Sequence, residues 1–390
     1  MVYFEPSERV RKLPVNFFGQ LDHKLAAVEK TGVPYINLSK GNPDLPTPEH
    51  IVASLKAGAD QPENHAYPPF IGKEKVRLAI TDFYKKEYGV TLDPTNEIAV
   101  FHGSHIGITG IPQVLLNPGD YMLITDPCYP IYYSSATLAQ ARTYAMPLEE
   151  SNRFLPDYRS IPDDVLPNAR LLMLNYPNNP TGALATKDFF QKTIDFAQTH
   201  HIPVVNDFAY ASLGFDHSKP LSLLQIEQAK SVAVEVYTLS KTYNMAGWRF
   251  GFAVGNASII RALNHFQMHA CSTVFGAVQD AAACALQSSQ ECVTRLVHIY
   301  QQRRDVLISG LRRIGWKADS PPGTFFAWLK VPAGYDSQSF TDLLFREAHI
   351  VTAPGIGFGE KGNDFIRISL VHSEDVLAEA VRRIDALHLF

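Results

Sequence analysis

Five short runs of β-branched and apolar residues, EIAVF at 97–101, YMLIT at 121–125, RLLMLNY at 170–176, IPVVND at 202–207 and VAVEVYTL at 232–239, alternate with stretches of helical character. Parallel strands need long crossovers, and helical crossovers cover both faces of a sheet, so this alternation predicts an α/β fold built on a mainly parallel sheet. Ligands of such sheets collect at the carboxyl ends of the strands. With 390 residues and 46% hydrophobic content, the chain can fill a sizeable core.

The texture changes near residue 286. Val293, Leu296, Val297, Tyr300, Leu307 and Leu311 recur at helical spacing, followed by a strand-like FFAWLKV at 325–331, a helix near 337–348, a strand-like IRISLV at 366–371 and a closing helix. This order predicts a second, smaller α+β domain. The expected division is an N-terminal arm with part of the small domain at 1–45, a large domain at 46–285 and a small domain at 286–390. The proline-rich GNPDLPTPEH at 41–50 reads as the turn between the arm and the first helix of the large domain.

A net charge of −4 from 35 basic and 39 acidic residues gives no broad electrostatic reason to expect nucleic acid or an anionic membrane as partner. Cys128, Cys271, Cys284 and Cys292 are spaced neither as a zinc site nor as a disulfide scaffold, so no metal is expected and they read as reduced packing residues. The N-terminal MVYFEPSERVRK is charged where a leader would be apolar, and no run of about 18 apolar residues follows. A cytoplasmic location is the expectation.

Several segments carry chemistry. FHGSHIGITGI follows a strand and opens a helix, and its glycines would let backbone N–H groups close on an anion at the positive helix end. A tight turn without ligand reads equally well there. The segment lacks the Gly-Lys-Ser/Thr ending of a triphosphate loop. Gly355, Gly357 and Gly359 form a second cluster, late in the chain and wrongly spaced for a dinucleotide site, and read as a loop. In TLSKTYNMAGWRFGF, Thr238, Ser240, Lys241 and Arg249 follow a strand together, and two hydroxyls with a guanidinium can hold a phosphate. A lysine among cations in a partly desolvated site is pushed towards its neutral, nucleophilic form. Asp207 ends an apolar run, where an ionised carboxylate needs a donor or a cation, although a helix-capping aspartate is an alternative. Asn179 lies in LNYPNNPTG, which is first of all a turn sequence.

Taken in order, GNPD at 41–44, AYPP at 66–69, GSHIG at 103–107, DPCYP at 126–130, NYPNNPTG at 175–182, NDFAY at 206–210, SKTYNMAGWRFG at 240–251 and FIRISL at 365–370 resemble the landmarks of class I aminotransferases of the pyridoxal 5'-phosphate (PLP) fold type I. The resemblance covers nearly the whole chain. It implies a large domain with a seven-stranded sheet sandwiched by helices. It makes Lys241 the lysine that binds PLP covalently and, once displaced by substrate, the base that moves the α-proton. Asp207 would sit against the pyridine nitrogen, and Tyr210 and Asn179 against the phenolic oxygen. Ser104, the His105 backbone, Thr238, Ser240 and Arg249 would hold the phosphate, with Tyr67 reaching in from the second subunit of a homodimer. Tyr129 would stack on the ring. Arg367 would grip the substrate α-carboxylate beside the backbone of Gly41 and beside Asn179. Position 105 often holds lysine in relatives and is histidine here, and Thr238 stands where serine is commoner.

Within that family QLDHKL, GNPDLPTPEHI, NDFAYASLGFD and TLSKTYNMAGWRFGFAVGNAS are most similar to methionine-salvage aminotransferases, which make methionine from 2-oxo-4-methylthiobutanoate. Aspartate, aromatic or diaminopimelate aminotransferases, a carbon-sulfur β-lyase and a PLP-binding regulator without turnover are the competing expectations. The segment HFQMHACSTVFGAVQD at 265–280 has no arginine or lysine for a distal acid, which favours apolar substrates. Phe17 and Phe18 are candidates to line their pocket, or simply to pack the arm.

Overall fold

The computed structural model describes residues 1–29 and 32–390. A two-residue strand β1 (Ile36–Asn37) precedes the strands of the large sheet, which are β2 (Ile98–Phe101), β3 (Tyr121–Asp126), β4 (Arg142–Pro147), β5 (Ala169–Leu174), β6 (Val204–Asp207), β7 (Ala233–Thr238) and β8 (Gly251–Gly255). Their order across this seven-stranded sheet is β2-β8-β7-β6-β5-β3-β4. β8 runs antiparallel to β2 and β7, and the remaining neighbours pair in parallel. The sheet is therefore mainly parallel, as the alternating sequence predicts.

Within this sheet, the two strands without a counterpart in the sequence reading are β4 and β8. β4 lies at the sheet edge, where only Met146 is fully covered, so its sequence RTYAMP has no continuous apolar run. GFAVG in β8 is bracketed by glycines, which depress strand propensity. Central β6 and β7 are buried at every residue, because helices cover both faces. One face packs Tyr84, Phe208, Tyr237 and Phe252 into an aromatic cluster, and the other packs Ile108, Ile111 and Leu263 against Val205 and Val236.

β7 also carries Glu235, fully buried on the aromatic side. Burial pushes its carboxyl up to about 7, and hydrogen bonds from Ser222, Asn206, the Leu223 N–H and Tyr84 oppose that rise.

The smaller lobe holds β9 (Phe326–Lys330), β10 (Ile350–Val351), β11 (Ala353–Pro354) and β12 (Phe365–Ser369). β11, β12 and β9 form an antiparallel sheet, and β1 pairs in parallel with β10, so the segment after the arm is woven into this lobe. The 23-residue helix Glu291–Arg313 spans about 34 Å and buries Leu296, Tyr300, Leu307 and Leu311, while Val293 and Val297 are only partly covered. Arg303 on this helix donates to both oxygens of Asp44 at 2.9 and 2.8 Å, pinning the GNPD turn to the smaller lobe. Helix Ser337–Ala348 begins at Asp336, whose carboxylate accepts from the Ser339 N–H, and the Ser339 hydroxyl accepts in return from the Asp336 N–H. The Gly355, Gly357 and Gly359 cluster forms a loop of two 3-10 turns between β11 and β12. Among the described residues no helix is long and apolar enough to cross a membrane.

Candidate active site

Four adjacent parallel strands, β7, β6, β5 and β3, bring Thr238, Asp207, Asn175 and Asp126 to one edge of the sheet. A cavity of about 730 Å³ opens there, between that edge and the smaller lobe. It is lined by Gly41, Ser104, His105, Tyr129, Asn179, Asp207, Tyr210, Thr238, Ser240, Lys241, Arg249 and Arg367, which the sequence places up to 326 positions apart (367 − 41). Tyr67 is not among the lining residues of its own chain, and is 91% exposed.

One end of the cavity is a cradle for an anion. Ser104 starts the 12-residue helix Ser104–Leu115, whose first N–H groups have no partner within the helix. Thr238 caps the short helix Leu239–Thr242 by accepting from the Ser240 N–H, and its hydroxyl lies 2.9 Å from that of Ser240. Gly103, at φ +84°, lets the Arg249 guanidinium approach, since a side chain there would strike it. Partial burial and the charge of Arg249 both hold His105 below the ordinary imidazole range, so it adds no fixed positive charge at neutral pH.

Lys241 lies in the middle. Its Nζ donates to the Gly41 carbonyl at 2.7 Å, so the Gly41 contact seen runs through C=O rather than N–H. Burial, with the charges of Arg367 and Arg249, pushes the ammonium down to about 8, against the opposing pull of Asp207. The Asp207 carboxyl is pushed up to about 6 by burial, moderated by hydrogen bonding and by Lys241. Tyr132 donates to Asp207 Oδ2 at 2.9 Å, and Asn175 Nδ2 holds the Asp207 carbonyl at 2.6 Å. Oδ1 is buried with no hydrogen-bond partner among the described residues.

At the far end, Arg367 is 1% exposed. Nη1 donates to Asn179 Oδ1 at 2.8 Å and Nη2 to the Ser39 carbonyl at 2.9 Å, while Nε is buried without a partner among the described residues. The guanidinium carbon lies 3.9 Å from the ring centre of Phe326, 4.7 Å from that of Phe358 and 5.6 Å from that of Phe18. Burial lowers its pKa to about 10, so it stays charged. Tyr210 is buried edge-on to Phe325 and Phe326, and Tyr129 packs against Phe18 and Tyr132. Phe18 lines the cavity, whereas Phe17 packs against Phe358 behind it.

A profile described as aminotransferase class I and II matches residues 33–384. The chain belongs to this family. It is a PLP-dependent aminotransferase. It is 51% identical over 387 residues, 99% of this chain and 97% of the relative, to the L-glutamine--4-(methylsulfanyl)-2-oxobutanoate aminotransferase of Bacillus subtilis (strain 168). It is 44% identical over 384 residues, 98% of this chain and 99% of the relative, to an LL-diaminopimelate aminotransferase of Syntrophobacter fumaroxidans. Among solved structures, substrate-bound BacF from Bacillus subtilis superposes with a TM-score of 0.95 at 45% identity, covering 100% of this chain and 98% of that one.

The residues of this aminotransferase fit PLP. Unpartnered Asp207 Oδ1 suits a protonated ring nitrogen, the cradle of hydroxyls, helix end and guanidinium suits a phosphate, and the lysine between them is easily deprotonated. Two contributors were not singled out in the sequence. Tyr132 stands three residues after Tyr129, a spacing that keeps both on one side of a helical turn and was the available signal. Asn175 is one of three asparagines in LNYPNNPTG, and nothing local says which faces Asp207.

Proposed function

We propose that Lys241 carries the cofactor and moves the proton, that Arg367 anchors the substrate α-carboxylate, and that the preferred oxo acid has an apolar side chain such as that of 4-(methylsulfanyl)-2-oxobutanoate. The carrying observation is Arg367, a buried cation with an unpaired Nε and aromatic rings around it. A carboxylate can take the free N–H groups, and what lies beyond it is desolvated by Phe18 and Phe326. A second carboxylate would need its own buried partner. Lys40 also lines the cavity but is exposed, and a solvated cation returns little for that desolvation.

When bound, PLP supplies the carbonyl that exchanges with the amino group and a ring that accepts the electrons of the broken Cα–H bond. Asp207 would hold a proton on the ring nitrogen through Oδ1, while Tyr132 fixes its other oxygen. Lys241 Nζ takes the proton from substrate Cα, and its lowered basicity leaves a useful neutral fraction near pH 8. Asn179 and Tyr210 would hydrogen-bond the phenolic oxygen, Tyr129 would stack on the ring, and Ser104, the His105 backbone, Thr238, Ser240 and Arg249, which line the cavity, would hold the phosphate. Tyr67, a large ring left in water by its own chain, completes that cradle from the second subunit of a homodimer. The relative named above acts on L-glutamine and 4-(methylsulfanyl)-2-oxobutanoate, which supports L-glutamine as donor.

The test is single turnover of the amino form of the enzyme against a panel of 2-oxo acids. 4-(Methylsulfanyl)-2-oxobutanoate and phenylpyruvate should react fastest. Oxaloacetate well ahead of both would overturn the apolar pocket and leave the aminotransferase chemistry standing.

A further inference from the structure

Asp126 closes β3, two strands across the sheet edge from β6 and Asp207, and is not among the residues lining the cavity. It is only 8% exposed, so its carboxylate needs donors. They come from the other lobe, where the Lys361 N–H donates to Oδ1 at 3.1 Å. Two residues after Asp126, the Cys128 N–H donates to the Phe358 carbonyl at 2.8 Å. The loop Gly355–Gly362 is thus clipped to the end of β3 at two points. Between them Gly359, at φ +139°, lies flat on the Asp126 carboxylate, where any side chain would collide with it.

What the clip carries into place is Phe358. Its side chain is 1% exposed, with the Arg367 guanidinium 4.7 Å from the ring centre. The rings of Phe17, Phe18 and Trp328 close around it at 5.7, 6.1 and 5.9 Å. Phe358 belongs to a small apolar cluster with Trp328, Ala353 and Phe365, separate from the main cores, against which Phe154 of the large lobe also packs. The clip is the hydrogen-bonded link through which the large sheet sets that position.

We propose that Asp126 is a positioning residue for substrate side-chain recognition: by clipping Gly359 and Lys361 to the large sheet, it holds Phe358 against Arg367 and behind Phe18, the ring that lines the cavity, so that carboxylate anchor and apolar wall keep a fixed register. This rests on the assignment of Arg367 as the α-carboxylate anchor. The cofactor groups Asp207 and Thr238 end other strands and Lys241 stands on the helix Leu239–Thr242, so the clip touches none of them.

The experiment follows the amino-acid half-reaction of the holoenzyme by cofactor absorbance, with methionine and with alanine, which lacks a side chain long enough to reach the wall. Asp126→Ala should raise the methionine KM roughly 10-fold with kcat nearly unchanged, and leave the alanine KM and the cofactor affinity alone. Asp126→Asn, whose amide oxygen still accepts from Lys361, should restore the methionine KM. Adding Asp126→Ala to Phe358→Ala should cost nothing further. Hydrogen exchange over residues 355–362 should speed up in the Ala variant only. If Asp126→Ala does not fold, Gly359→Ala breaks the clip from the loop side and should give the same methionine-selective defect. Equal losses for methionine and alanine, additive losses in the double variant, or failure of Asp126→Asn to rescue would overturn the proposal. Arg367→Lys separates the two assignments: an unchanged alanine KM there removes the anchor, whatever Asp126 does.

Discussion

The Tyr132 hydroxyl donates to one oxygen of the buried Asp207 carboxylate at 2.9 Å, and the other oxygen has no donor among the described residues. A carboxylate half satisfied in a site that pushes its pKa up to about 6 is costly unless a ligand completes it. The pair therefore reads as one fixed and one open hydrogen bond, and the open one is where we place the cofactor ring nitrogen.

Asp207→Ala should accordingly lose far more in catalysis than in fold. We expect transamination to fall by at least about 100-fold, the scale of a preorganised electrostatic contact, with the circular dichroism of the fold retained. Near wild-type rates would make Asp207 a packing residue.

Lys241 sets a pH dependence that needs no substrate. Only the neutral amine attacks a carbonyl, and burial shifts the loss of its proton from 10.5 down to about 8. Covalent uptake of PLP by cofactor-free enzyme should therefore quicken as pH rises and level off above a midpoint near 8. Stopped-flow absorbance between pH 6 and 11 checks this, and a midpoint near 10.5 would mean that Lys241 titrates as a solvated lysine.

If Tyr67 serves the neighbouring subunit, Tyr67→Phe and Lys241→Ala chains should complement each other. After random subunit exchange, about a quarter of all sites combine an intact lysine with an intact partner tyrosine, so activity should recover towards that level. No recovery despite exchange demonstrated by mass would assign Tyr67 to its own chain.

The sheet was legible because buried parallel strands are continuous apolar runs, and the site because its residues end those runs or follow them within a few positions, as Asp207 and Lys241 do. Partly covered β4 and glycine-bracketed β8 carry no such run, and only the paired backbones reveal them. Tyr132 was hidden because the choice among the tyrosines of YPIYY depends on how helix Ile131–Leu138 leaves the sheet edge. The Asp126 clip joins residues 235 positions apart, and a lone aspartate before proline reads locally as a turn.

The most direct measurement is borohydride reduction of the PLP-loaded enzyme followed by peptide mapping. The cofactor mass should be found on the peptide containing Lys241, and on no peptide of Lys241→Ala, whose phosphate cradle is intact. A label on any other lysine, or none after full reconstitution, would contradict the placement of the chemistry at this sheet edge.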